Sequence, residues 1–574
     1  MNKSSGSVNG TEIKHAQRRL EQVLTEMRRR DQWDIRMELA PKAAKELGRD
    51  GFQIERKSNT SMLVKGAEKS GVANSLYYLA TCFRSGRHLP GEGETLTSKP
   101  RFNRRGMTLG AFAPLRLRDL SLDIFTLELY KEYLEFIREL GGNYVLLMPG
   151  PHQWFHPDHP STIVNRRTWE TLKEVLAYAK ELGMSTAVNV PYNWMPTEYY
   201  LCHPEELVRN VMGFASVSWD KARESIQRYH DYFYRHFQAD EMVIMSFDGG
   251  GTTLDRFIEE PNQILEEAFE EAAHAFRSAV PKGIITWWAF GVSHFRAAAK
   301  ALGYNMQLDM GELMCSLPEN TRFLEASANV WRKRMPDAPE YLGMASEAGL
   351  PVDNFFFIMD PEGATEAACS TLPYPKLGAI QDEMRYTTEH LSLDGVLGYR
   401  MCPSIQVIGD YAFFRWAWDP TLDSSEIVDE AARYMNQGGE GADDIARAIR
   451  LLEEFWNSCD LGKLDECCRI LETPGVCSTT TLTNLRDGVA ALRIVAKAAF
   501  ETDPDSEERG HRVQKLMEAM REMPVYRGYV SDETWDGKAL DFLAFKSGAW
   551  MKYLCSLKEG QSILQSFLAA LGMG

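Results

Sequence analysis

The stretch Glu241–Phe257, EMVIMSFDGGGTTLDRF, carries one acid from an apolar run into glycine. The run MVIM is bounded by turn residues and has the length and composition of a strand buried on both faces. Gly249, Gly250 and Gly251 end it. Glycine admits backbone angles and a close ligand approach that other residues forbid. Asp248 is therefore expected at the C-terminal mouth of a buried strand, where α/β proteins hold their active sites. Its ordinary alternative is to cap the next helix. A phosphate loop is excluded, because no Gly-Lys-Ser/Thr ending follows.

Other candidates follow other apolar runs. Glu325 lies in FLEASANVW, Asp360 and Glu362 in FFFIMDPEG, and Asp382 and Glu383 in AIQDEMRY. The last two have the plainer role of first-turn helix residues. His152, Gln153, Trp154, His156 and His159 occupy MPGPHQWFHPDHP, and Asn189, Tyr192, Asn193 and Trp194 occupy NVPYNWMP. Trp287 and Trp288 end one apolar run, and Tyr399 and Arg400 end another. Polar and aromatic side chains concentrated in this way suit a cleft for a polar ring. Successive strand residues point opposite ways, so core packing accounts for one of Trp287 and Trp288, and less well for Asn193 and Trp194 together. Arg400 can pair with a carboxylate or sulfate on a ligand, or bridge to an internal acid. The spacing of His152, His156 and His159 suits one helix face, but Pro151, Pro157 and Pro160 exclude a helix there. A loop-built metal site, with Asp158, is the minor alternative; no metal or cofactor is expected.

These residues need a scaffold. Between about 101 and 423, strand candidates alternate with helix candidates: RRGMTLGAF, NYVLLMPG, STAVNVPYNW, EMVIMSFDGGG, GIITWWAF, TRFLEA, NFFFIMDPEG and DGVLGYRM. Eight strands with intervening helices over such a length predict a (β/α)8 barrel. TRFLEA is the weakest of the eight, and GYNMQLDMGELMCSLPEN before it reads as a loop insertion. An open doubly wound sheet is the competitor, weakened because no Gly-rich fingerprint follows the first strand. Residues 1–100 read as a small α/β unit closed by the helix GVANSLYYLATCFRSG, with the turn-rich LPGEGETLTSKPRFNRRG as the boundary. Residues 424–574 read as helices, among them SSEIVDEAARYMNQ, ADDIARAIRLLEEFWNS and HRVQKLMEAMREM.

The bulk properties agree with several domains. The chain has 574 residues, 44% hydrophobic and 25% charged, more than one core accommodates. A net charge of −17 argues against nucleic acid and anionic membranes as partners. The aromatic share is 11%, with 13 tryptophans; much of it belongs to cores, but exposed Trp and Tyr faces are also what sugar-binding clefts stack on pyranose rings. No apolar leader or membrane-length run is visible, and the ten cysteines form no C-x-x-C pair, so a reduced cytoplasmic protein is expected. A homodimer is a further expectation, drawn from the helical tail.

Three features together resemble one group of enzymes. The helix GVANSLYYLA closes the first unit, KPRFNRRGMTLG enters the barrel, and GDYAFFRWAWDPTLDSSEIVDEAARYMNQGG follows the eighth strand. This order is similar to glycoside hydrolases of the family 20 hexosaminidase type, and to the related α-glucuronidases and α-N-acetylglucosaminidases. The resemblance spans almost the whole chain. It implies a retaining, exo-acting glycosidase working on small oligosaccharides or glycosides, N-acetylhexosaminides among them. Family 20 enzymes carry an adjacent Asp-Glu pair after the fourth barrel strand; here the place reads Asp248-Gly249, a departure from their substrate-assisted chemistry. Glycoside hydrolysis uses two carboxyl groups, one protonated and one ionised. By analogy Asp248 is the acid/base, and the second group comes from strand seven, as Asp360, or from strand six, as Glu325. His152, Trp154, Asn193, Trp194, Trp287, Trp288, Glu362, Tyr399 and Arg400 are the expected substrate contacts. A barrel that binds carbohydrate without turnover, and a metal-dependent hydrolase, are the alternatives.

Overall fold

The computed structural model describes residues 10–501, except 28–31, 88, 111–126, 150–154, 157, 159–162, 210–214, 248–255, 327–337, 357–371, 376, 401–405, 475 and 478. The expected helix HRVQKLMEAMREM lies outside the described residues.

The first unit has four strands in the order β1-β3-β2-β4: β1 (Asp34–Leu39), β2 (Phe52–Ser58), β3 (Ser61–Gly66) and β4 (Thr95–Ser98). β1 and β3 run parallel, and the other pairs are antiparallel. Helices Thr11–Glu26 and Lys69–Ser85 cover the sheet, and Ile13, Leu20, Ile54, Val64 and Leu76 fill the space between. β4 lies inside the segment expected to be only a boundary loop, where its backbone pairs with β2.

The next eight strands close into a barrel, and every neighbour is parallel: β5 (Arg104–Gly110), β6 (Tyr144–Met148), β7 (Ser185–Pro191), β10 (Glu241–Met245), β11 (Ile284–Trp288), β12 (Thr321–Glu325), β13 (Val352–Phe356) and β14 (Gly395–Arg400). β14 pairs with β5 to complete the ring. The short strands β8 (Leu207–Arg209) and β9 (Ala215–Val217) form a hairpin between β7 and β10. Thus the (β/α)8 reading holds, including the sixth strand. The presumed insertion before that strand contains the helix Met310–Ser316, whose N-cap Asp309 accepts from the Glu312 N–H.

Strands β6, β10 and β13 are buried along their whole length, which a parallel sheet covered by helices requires. The pleat sends alternate residues inward. Leu146, Val243, Leu324 and Leu397 face the barrel interior, while Val145, Met242 and Phe323 face the helices. At the base the interior is ionic. Arg104 binds Glu241 and Asp353, Arg322 binds Asp353 and Asp394, and the Tyr144 and Thr286 hydroxyls donate to Glu241. Gly106 and Gly395 lie on the inner face; a Cβ on either would collide, with the Tyr144 ring at Gly106 and with Asp353 and Arg104 at Gly395.

Helix Val407–Trp418 leads out of the barrel to the helices Ser424–Met435, Ala442–Ser458, Leu461–Leu471 and Thr480–Glu501. Helix Ser424–Met435 packs on both Val407–Trp418 and Lys69–Ser85. Charges are paired across that junction: Glu139 with Arg19 at 2.8 Å, and Glu430 with Arg87 at 2.9 Å and Arg415 at 3.0 Å. Trp418 extends into the core of the first unit. The first unit therefore contacts the barrel at strand beginnings, where Asp50 binds Arg105, and leaves the opposite end to the active-site loops.

Candidate active site

The C-terminal ends of the barrel strands are where the sequence places its acids. Asp248, Asp360, Glu362, His152 and Trp154 lie outside the described residues. Phe247, immediately before Asp248, is buried and packs edge-on against Phe257. Arg400 is the last residue of β14.

The pleat separates the two tryptophans. Trp288 faces inward and packs against Phe355 in a tilted arrangement, 4.6 Å between ring centroids, and Phe355 meets Tyr399 at 5.6 Å. Trp287 faces outward instead. It packs between Phe269 and Phe323, and its Nε1 donates to Ser246 Oγ at 2.9 Å. Trp287 is thus a core residue between barrel and helices, and Trp288 and Tyr399 are the inward pair. Asn193 and Trp194 follow β7 and are both buried. The Asn193 amide donates to Val217 O of the hairpin at 3.4 Å, and Trp194 joins the helix-side core. Both residues are thus buried, contrary to expectation, Asn193 against the hairpin and Trp194 in the helix-side core.

Glu325 ends β12 opposite Asn354 of β13. Asn354 reaches Thr387 on helix Leu377–His390, so this level of the pleat faces the helices rather than the barrel interior. The carboxyl is almost wholly buried; Oε1 accepts from the Ala326 N–H at 2.7 Å, and Oε2 has no partner among the described residues. With no neighbouring cation, burial pushes its pKa up to about 8. A carboxyl that stays protonated at neutral pH is what a general acid needs, but its direction is that of a buried structural group.

His156 is held by aromatic contacts with Tyr229 and Tyr232, and its Nδ1 accepts from the Asp158 N–H at 3.1 Å. Among the described residues, the group of His, Asp or Glu side chains with ligand atoms close enough to share a cation is His203, Glu205 and Glu206, a partly exposed set before the hairpin. No described helix is long and apolar enough to cross a membrane.

Thr108 is a site candidate that the sequence does not single out. It is the inward residue of β5 paired with Tyr399, and its hydroxyl is buried without a partner. A threonine in an apolar strand reads simply as a β-former.

Against family models and curated proteins the sequence finds no match. Solved structures do resemble it. A GH138 enzyme targeting pectin rhamnogalacturonan II aligns over 97% of this chain and 99% of its own, with a TM-score of 0.55 and 12% identity. The likeness is one of fold, a (β/α)8 barrel with flanking units. The Clostridium perfringens GH89 protein, solved with GlcNAc-α-1,4-galactose, aligns over 96% of this chain and 75% of its own, at a TM-score of 0.57 and 10% identity. A GH20 exo-β-N-acetylglucosaminidase from Vibrio harveyi aligns over 76% of this chain and 72% of its own, at a TM-score of 0.50 and 12% identity. With the GH138 and GH89 structures the likeness runs through the first unit, the barrel and the described helices alike.

Proposed function

We propose that the protein is a glycoside hydrolase, exo-acting and retaining, that cleaves small oligosaccharides or glycosides. The observation that carries this reading is the closed barrel in an arrangement shared along nearly the whole chain with the GH138 and GH89 structures. Asp248, which follows the β10 strand in sequence, is assigned as general acid/base. Asp360, after β13, is the preferred nucleophile. Glu325 ranks below it, since the pleat turns its level toward the helices. Trp288 and Tyr399 line the inner wall, and Arg400 at the end of β14 contacts a polar or anionic substituent of the sugar.

An N-acetylhexosaminide is one substrate class, in keeping with the GH20 and GH89 likenesses. With Gly249 beside Asp248 in place of a second acid, a protein nucleophile from another strand replaces assistance by the substrate's own acetamido group. Retention requires the two carboxyl groups to lie ~5–5.5 Å apart; a wider gap would give inversion.

The test is hydrolysis of a panel of aryl glycosides, both anomers, including N-acetylhexosaminides and uronides, by wild type and Asp248→Asn. Cleavage of one glycoside, lost by about 10²–10⁴-fold in the variant, is expected, with the loss greatest for poor leaving groups. Unchanged turnover in Asp248→Asn removes Asp248 from the mechanism. Binding of sugars without any turnover favours the carbohydrate-binding alternative.

A further inference from the structure

The register of the barrel stacks its inward side chains in levels. Pairing carries Thr108 to Leu146, Ala187, Glu241 and Ile284 in turn. Strand tilt in an eight-stranded barrel advances the level by about one residue per strand, and alternate strands contribute four side chains to each level. Thr108 therefore shares its level with Asn189, Trp288 and Phe355. Below lie Leu146, Val243, Leu324 and Leu397, all apolar; above lie Met148, Met245, Ala326 and Tyr399.

The Thr108 level breaks the apolar pattern, and it does so without internal satisfaction. Thr108 Oγ1 and Trp288 Nε1 are both buried, and neither has a hydrogen-bond partner among the described residues. Asn189 is the exception, its amide reaching Val243 O at 3.4 Å. Such groups carry a cost in a core: a buried donor or acceptor left unpaired loses its hydration with nothing in return, and valine in place of Thr108 would fill the same space without that loss. Unpaired buried polar groups call for a partner that the chain alone does not supply.

We infer that this level is the floor of the substrate pocket. Thr108 Oγ1 accepts from one hydroxyl of the bound pyranose, and the Trp288 Nε1–H donates to another. The two side chains stand on opposite strands, β5 and β11, so they address hydroxyls on opposite edges of the ring. Together they read sugar configuration, and they are specificity-determining contacts independent of the acids that break the bond. This inference rests on the glycoside hydrolase reading.

Thr108→Val, which is nearly isosteric, and Trp288→Phe, which removes the indole N–H together with part of the ring, test it; the specific effect of Trp288→Phe is therefore read from the differences among analogues. The substrate identified by the glycoside panel is compared with its monodeoxy analogues, each lacking one ring hydroxyl. Each variant is expected to lose about tenfold in kcat/KM on the parent sugar and nothing on one analogue, a different analogue for each variant. The melting temperature of Thr108→Val is expected not to fall, because an unpaired hydroxyl is removed. Equal losses on every analogue, or a lowered melting temperature with unchanged kinetics, would show a structural role and overturn the inference alone. A wild type that cleaves no glycoside in the panel overturns the hydrolase reading and this inference with it.

Discussion

Arg104 and Glu241 meet across the base of the barrel, Nη1 to Oε1 at 3.0 Å and Nη2 to Oε2 at 2.5 Å. They belong to strands that are not neighbours, so the pair ties β5 to β10 through the interior. Arg104 also holds Asp353, and its ring neighbour is Tyr144, with the guanidinium carbon 4.2 Å from the ring centre. Arg104→Met leaves two buried carboxylates short of a cation and is expected to cost ~3–5 kcal/mol. Glu241→Gln, which keeps hydrogen-bonding capacity, is expected to cost less. Urea midpoints of the two variants check the order.

Trp418, at the end of the helix that leaves the barrel, packs into the core of the first unit. Its Nε1 donates to Ser98 Oγ at 2.8 Å, and its ring meets Phe52 at 5.8 Å. Trp418→Phe is expected to cost ~1 kcal/mol for the hydrogen bond, and Trp418→Ala ~3–5 kcal/mol for the cavity. Limited proteolysis should then release the first unit from Trp418→Ala before the barrel is cut.

Glu325 makes stability fall with rising pH. Its folded pKa of about 8 exceeds the ordinary 4.5, so its contribution is fully present below pH 4.5 and is lost as pH rises through 8. Glu325→Gln keeps the neutral shape and has no charge to bury. The variant is therefore expected to gain on wild type across that window, approaching ~5 kcal/mol above pH 8. Denaturant melts of both proteins from pH 4 to 9 would measure the gap; a constant difference contradicts the assignment.

His230 works in the opposite direction. It is buried on helix Trp219–Phe237, Nε2 has no partner among the described residues, and burial lowers its pKa to about 3. A depressed histidine pKa favours protonation of the unfolded chain, so stability is lost as pH falls from 6.5 toward 3. His230→Phe is expected to flatten the acid limb of the stability profile while leaving the alkaline limb to Glu325. Thermal midpoints between pH 3 and 7 test it.

The barrel was legible because its strands are continuous apolar runs with helices between them, a pattern that only two-sided burial explains. TRFLEA was the hardest of the eight. Its Arg322 looks wrong for a buried strand until the base of the barrel supplies Asp353 and Asp394. β4 was missed because four residues of TLTS inside a turn-rich segment carry little pattern, and its pairing with β2 is non-local. Helix Leu461–Leu471 falls in the region read as helical, opened by its N-cap Asp460, which accepts from the Gly462 N–H. At the site, the adjacent tryptophans could be recognised as one inward and one outward, but not which: both are apolar, and the register with Phe355 and Phe323 decides it. Thr108 carried no signal at all, because an unpaired hydroxyl is a property of the assembled interior. The acids after β10 and β13 stand where the strand pattern puts them in sequence, and their geometry lies outside the described residues.

The junction at helix Ser424–Met435 has a consequence for how the chain is made. Arg84 contacts Tyr434, and Arg433 donates to the Ser85 carbonyl, across separations of 350 and 348 residues. The first hundred residues leave the ribosome long before either partner exists. Until the barrel and the following helix have been translated, Arg84 and Arg87 face water on a surface that the finished protein buries. This unit is thus translated well before it can reach its final form, and a nascent chain halted before Glu430 carries that face exposed, available to chaperones and proteases.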